Sequence, residues 1–285
     1  MSVKEFLRRI LVPVDGSDSS LMAEEITAVI AKKTKATVTV FHASSELLLG
    51  IGYPLPSSLE KEILGQIEQR GEQIVNDALA LFKEEGVTAD AKMLSRSDPA
   101  DSILNLSKDY DLIIIGAHGE NEKDPYALGS ETKKVVRHTK CPTLIVKKIS
   151  PLLNLLVCID GSEHSIRAFE YAFKLAEKFG SDITLLNVQE PQIYNISPKT
   201  ATEIGEKILS KAINIVGGEK VKVDKKIEFG IPSVTITEVA EKGNYDLIVL
   251  GSRGLGTVRR FLLGGVSDDV SQEAKCSVLV IPAKY

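Results

Sequence analysis

Apolar and polar positions along the chain fall into alternating blocks. Arg9–Val14 is a short apolar run, the pattern of a parallel strand buried on both faces. Ser17–Lys33 then shows a helical period. Ser17 or Asp18 can cap its start, and Met22, Ile26, Val29 and Ile30 share one face. Further strands are predicted at Thr37–Ala43, Val87–Leu94, Leu112–Gly116 and Thr143–Lys147. Helices are predicted between them at Leu59–Glu85 (with Ile63, Ile67, Ile74 and Leu81 as its apolar positions), at Pro99–Lys108 and at Glu131–Thr139. The order repeats in the second half, with Leu175 and Ala176 on its first helix and Ile208, Ala212 and Ile215 on its second.

The repeat is also one of residues. The run from Ile10 to Ser17 reappears from Leu155 to Ser162, that from Tyr110 to Gly116 from Tyr245 to Gly251, and that from Lys140 to Val146 from Lys275 to Ile281. Three matched blocks in one order mark a duplication. The first copy is longer, mainly around Leu47 to Ser58. Alternating strands and helices imply parallel sheets covered on both faces. The fold class is therefore α/β: two tandem doubly wound domains, flavodoxin- or Rossmann-like, each on a five-stranded parallel sheet, spanning residues 1–149 and 150–285. The link from Lys148 to Asn154 is short, so the two copies should pack as a pseudo-two-fold pair. The closing strands, Leu144–Lys147 and Val278–Ile281, would lie at sheet edges. They could pair within one chain, giving an intrachain pseudo-dimer, or between chains in a homodimer.

Composition narrows the class. With 43 % hydrophobic residues the chain can fill two cores, and a net charge of −4 argues against a general nucleic-acid binder. No apolar run reaches the roughly 18–20 residues of a membrane span. The mixed, charged start from Met1 to Arg9 does not read as a signal peptide, so a cytoplasmic location is expected. Cys141, Cys158 and Cys276 match no zinc or disulfide spacing and suit a reducing compartment as inert, buried residues. His42, His118, His138 and His164 show no metal spacing either.

The chemistry-bearing motif is a pair of glycine loops. Gly116 and Gly119 are followed after nine residues by Gly129 and Ser130; Gly251 and Gly254 are followed after nine by Gly264 and Gly265. The first pair ends a strand and the second opens a helix, whose free N–H groups and positive dipole end suit a phosphate. Ser130 could add a hydroxyl, as could Thr132 and Ser267 two residues further on. Asp15 and Asp160 end the first strand of each copy at the ligand edge of such a sheet. Each could meet a ribose hydroxyl or a water-held Mg²⁺, or simply form a turn.

Together these residues resemble the universal stress protein family, over nearly the whole chain and as a tandem two-domain member. The resemblance implies a stress-response regulator or sensor that binds an adenine nucleotide, ATP or AMP, with or without Mg²⁺, and neither nucleic acid nor a membrane. Carried onto this chain, Asp15 and Asp160 would face the ribose, and Ala43 and Val188 would offer backbone contacts to adenine. Pro13 stands at the family's usual proline, which Cys158 replaces in the second copy. Phosphates would be held by Gly116, Gly119, Gly129 and Ser130 in the first copy. In the second they would be held by Gly251, Gly254, Gly264 and Gly265, with Arg253 and Val266 in the same stretch.

Each copy departs from that pattern. Gly265 stands where Ser or Thr is usual. The insert Glu120–Leu128 is net −2 and is followed by Glu131 past Ser130, whereas Leu255–Leu263 is net +2 through Arg259 and Arg260. Acidic side chains oppose a polyphosphate, so the second copy is expected to be the better ATP site.

Other function classes fare worse. A slow ATPase or nucleotide hydrolase would need a base, and Asp15, Asp160 and His118 come without an evident partner. A phosphate-loop Gly-x-x-x-x-Gly-Lys-Ser/Thr and a dinucleotide Gly-x-Gly-x-x-Gly are both missing, and strand three lacks the aspartate of a signalling receiver.

Overall fold

A computed structural model of the chain describes residues 6–44, 57–95, 97–119, 128–190, 192, 195–216, 220–254 and 263–282. The first half runs β1 (Arg9–Pro13), α1 (Asp18–Thr34), β2 (Thr37–Ser44), α2 (Ser57–Glu84), β3 (Ala89–Ser95), α3 (Pro99–Leu106), β4 (Leu112–Gly116), α4 (Ser130–His138) and β5 (Thr143–Val146). The second runs β6 (Asn154–Cys158), α5 (Glu163–Phe179), β7 (Asp182–Gln189), α6 (Pro198–Val216), β8 (Val223–Phe229), α7 (Pro232–Lys242), β9 (Leu247–Gly251), α8 (Gly265–Glu273) and β10 (Ser277–Ile281). The elements lie within a few residues of the predicted bounds. The loop that carries most of the extra length of the first copy falls at 45–56, outside the described residues.

Local chemistry sets the helix starts. The Ser17 hydroxyl accepts from the Ser20 N–H at 3.1 Å, and the Ser162 hydroxyl from the Ser165 N–H at 3.2 Å. Asp98 caps α3 ahead of Pro99, accepting from the Asp101 N–H at 2.8 Å. Among the apolar stripes, two positions and one helix face correct the sequence reading. Val29 is 41 % and Ile215 53 % exposed. On α2 the seam against the sheet is Gly71, Val75, Ala78 and Phe82, while Ile63, Ile67, Ile74 and Leu81 flank it half-buried. The reason is geometric: at 3.6 residues per turn, spacings of four and three from Gly71 follow one line, and the isoleucines lie beside it. Among the described residues no helix is long and apolar enough to cross a membrane.

The two half-sheets join into one ten-stranded sheet, in the order β3-β2-β1-β4-β5-β10-β9-β6-β7-β8. All neighbours are parallel except the central pair, where Leu144 meets Leu279 and Ile145 meets Val278 in an antiparallel register. The closing strands are therefore the middle of the sheet, each covering the edge of the other. The true edges are β3 and β8, the latter carrying Asp224, Lys225, Lys226 and Glu228, charges that blunt further strand addition. Phe6 packs edge-on against Tyr171 across the seam at 4.8 Å between centroids. Because β5 and β10 run oppositely, the carboxyl ends of the two half-sheets open on opposite edges of the molecule.

Candidate functional site

At each carboxyl edge the chain builds the same corner. The N–H groups of Val14 and Ile159 donate to Phe41 O and Leu186 O, both at 2.8 Å, and hold the end of the first strand. Asp15 and Asp160 follow, and then Gly16 (φ 82°) and Gly161 (φ 90°), whose left-handed backbone lets the chain turn into the helix. One carboxylate oxygen serves that turn: Asp15 Oδ1 accepts from the Ser17 N–H at 3.0 Å and the Ser17 hydroxyl at 2.7 Å, and Asp160 Oδ1 from the Ser162 N–H at 2.9 Å. The other oxygen, Oδ2, faces the second glycine of the loop. A Cβ at Gly119 would lie 2.8 Å from Asp15 Oδ2, and one at Gly254 2.6 Å from Asp160 Oδ2.

The loop glycines do different work. A Cβ at Gly116 would meet Ser19 O and Oγ at 2.7 Å, and one at Gly251 the backbone of His164 at 2.8 Å. These two glycines let α1 and α5 cross close over the ends of β4 and β9. Gly129 and Gly264 are the N-caps of α4 and α8, and their own N–H groups donate inward to Ala117 O (2.9 Å) and Ser252 O (2.6 Å). Ser130, Gly265 and Val266 are exposed at the helix starts, and a Cβ at Gly265 would meet nothing within 4 Å. The Thr132 and Ser267 hydroxyls are buried and donate to Gly116 O (2.9 Å) and Gly251 O (2.7 Å). Their donors brace the loop rather than point outward.

Ala43 and Val188 lie near the ends of β2 and β7 and are half-buried, as are Pro13 and Cys158 where β1 and β6 end. Burial raises the Cys158 thiol far above its ordinary range, with Cys276 and Asp160 adding to it, and burial does the same to Cys141. Glu131, placed by the sequence beside the first-copy phosphate position, turns away and accepts from the Ala100 N–H at 3.0 Å, at the start of α3. Most of the two nine-residue inserts, with Arg259 and Arg260, lies at 120–127 and 255–262, outside the described residues.

The second corner is the more basic. Burial first, and then the Arg253 and Arg167 guanidiniums, hold the His164 imidazole below its ordinary range. The matching positions of the first copy are Ser19, His118 and Met22. Among the described residues no three His, Cys, Asp or Glu side chains cluster as a metal site.

Two supports were missed by sequence reading. His42 Nδ1 donates to Val14 O at 2.8 Å, and Asn187 Nδ2 to Ile159 O at 2.6 Å, anchoring the residue before each aspartate from the neighbouring strand. Gly71 and Gly205 leave room for them, since a Cβ at either would lie 2.9 Å from that side chain. The signal was available as a polar residue at the same place in two apolar strands. The second support is Asp111, which accepts from the N–H groups of Arg8 and Arg9, as Asp246 does from Leu153 and Asn154, at 2.8–3.0 Å. The repeated Tyr-Asp-Leu thus pins the other end of the first strand.

Comparison with known proteins gives a consistent result. The sequence model of the universal stress protein family matches residues 7–147 and again 152–282. A universal stress protein of Mycobacterium tuberculosis is 26% identical over 290 residues, covering 95% of each chain. A putative universal stress protein of Staphylococcus aureus is 33% identical over 137 residues, 45% of this chain and 82% of that one. The crystal structure of a universal stress protein from Archaeoglobus fulgidus superposes with a TM-score of 0.75 at 24% identity, covering 98% of both chains, which shows the shared fold.

Proposed function

Both halves of this chain belong to the universal stress protein family, and from that premise we propose that it binds an adenine nucleotide, ATP or AMP, and acts as a stress-response regulator rather than a turnover enzyme. The observation that carries this reading is the corner built twice: an aspartate Oδ2, a glycine at which a Cβ would crowd that oxygen, and a glycine-capped helix start, brought together at a carboxyl edge. Such an edge is where open α/β sheets take their ligands, and the helix start supplies N–H donors for a phosphate. In this reading the aspartate meets the ribose and the glycine loop passes close to the phosphates. Ala43 and Val188 offer main-chain groups to the base. A Mg²⁺ would arrive on the phosphates, with Asp160 reaching it through water.

The second domain is the stronger ATP site in this proposal. Arg253 and Arg167 stand near its corner, where the first domain has His118 and Met22, and attraction to a polyphosphate follows from their charge. The test is a calorimetric titration of Mg²⁺–ATP, with phosphate release followed on the same sample. Saturable binding with negligible release is expected. A folded sample that binds no nucleotide would remove the proposal, and rapid release would replace it with an ATPase.

A further inference from the structure

Helix α8 opens the second-domain corner, yet both of its ends are held by side chains of the first domain. At its first turn, Arg137 from the last turn of α4 makes a paired contact with Asp268, Nε to Oδ1 at 3.0 Å and a terminal guanidinium nitrogen to Oδ2 at 2.6 Å. At its far end, the Lys147 ammonium donates to Gln272 O at 2.8 Å and Ala274 O at 2.7 Å. The reverse arrangement is not encoded: the positions matching Arg137, Asp268 and Lys147 in the other copy are Gln272, Lys133 and Pro282. The duplication has kept the corner and made its support one-sided.

The placement of Asp268 is what matters. It lies three residues past Gly265, about 4.5 Å along the helix axis. A carboxylate in a helix's first turn stabilises the helix by meeting its positive end. That same charge opposes a phosphate at the same end. Asp268 is half-buried, its side chain 22% exposed, so water screens it less than a fully exposed carboxylate. A two-pronged guanidinium is the partner that cancels such a charge most completely.

We propose that Arg137 is a positioning residue for the second-domain site: it neutralises Asp268 from the other domain and so leaves the start of α8 able to accept a polyphosphate, with Lys147 fixing the helix from behind. This rests on the nucleotide-binding reading above and adds that the second site is complete only when the first domain is seated against it. An event that shifts the seam would then change affinity at one site and not at the other.

The test is titration of ATP, AMP and adenosine into a Gly119→Val parent, which confines binding to the second domain, alongside Arg137→Ala, Arg137→Ala with Asp268→Asn, and the charge exchange Arg137→Asp with Asp268→Arg. Arg137→Ala should weaken ATP about three- to tenfold, AMP less, and adenosine not at all, because only the phosphates feel the uncovered carboxylate. Removing or exchanging both charges should restore ATP affinity. An ATP affinity unchanged by Arg137→Ala overturns this inference alone. An equal loss for ATP and adenosine overturns it too, since that is the mark of a merely structural seam. A parent that binds no ATP removes the site reading and this one with it.

Discussion

Asp160 Oδ2 and Gly254 stand so close that a Cβ on residue 254 would come within 2.6 Å of the carboxylate oxygen, and the same holds at 2.8 Å for Asp15 and Gly119. The carboxylate and the bare backbone form one surface, closed by the end of a strand and the start of a helix. Gly254 is exposed, so filling it should damage the surface and not the core. Gly254→Val is expected to weaken nucleotide binding more than tenfold by blocking close backbone approach, with an unchanged far-ultraviolet spectrum. Gly119→Val should cost less total affinity. A folded Gly254→Val protein with parental affinity would sink the site, and the reverse order of the two variants would refute the ranking of the domains.

The two oxygens of Asp160 separate turn from ligand. Asp160→Ala removes both, Asp160→Asn keeps an acceptor for the Ser162 N–H at Oδ1. Loss of a charged hydrogen bond of about 1.5–3 kcal/mol corresponds to roughly ten- to a hundredfold in affinity. If the carboxylate meets the ribose, Asp160→Ala weakens adenosine, AMP and ATP alike. A loss confined to Mg²⁺–ATP would reassign the group to the metal.

Gly265 has open space where a side chain would go, unlike Gly116, Gly119, Gly129, Gly251 and Gly254. Gly265→Ser should therefore leave stability within about 0.5 kcal/mol of the parent and bring the second helix start to the chemistry of Ser130. Equal or severalfold tighter ATP binding is expected by titration. A tenfold loss would mean that the ligand fills that space.

Beneath the first corner sits a buried acid, 2% exposed. Burial raises the Glu24 carboxyl to about 7, against a lowering bond from the Ser20 hydroxyl, with Asp15, Asp77 and Glu25 adding repulsion. Its folded value lies above the unfolded one, so between about pH 4.5 and 7 the folded chain holds a proton that the unfolded chain has released. The contribution is full below about pH 4.5, is lost as the pH rises through 7 and is level above. Glu24→Gln should flatten this slope and be more stable than the parent at pH 8, by an amount on the order of 3 kcal/mol at most. Urea melts at pH 5 and pH 8 measure it, and a parental slope in the variant would exclude Glu24 as its source. The matching residue of the second domain is Phe169, fully buried, and lends no such dependence.

The sequence by itself determined the duplication, the alternation of strand and helix and the glycine spacing, because each is written in residues near one another along the chain. It also placed the two aspartates at a strand end, since the apolar run stops at Asp-Gly-Ser in both copies. What each glycine spares a Cβ for was decided only in three dimensions. Gly116 makes room for Ser19 and Gly119 for Asp15, partners about a hundred residues away in sequence. The inward turn of the Thr132 and Ser267 hydroxyls, the anchoring by His42 and Asn187, and the choice of β10 as partner for β5 are likewise long-range. An apolar closing strand specifies that its edge must be covered, not by which strand. The union of β5 with β10, and with it the reach of Arg137 to Asp268, is a property of packing two folded halves together.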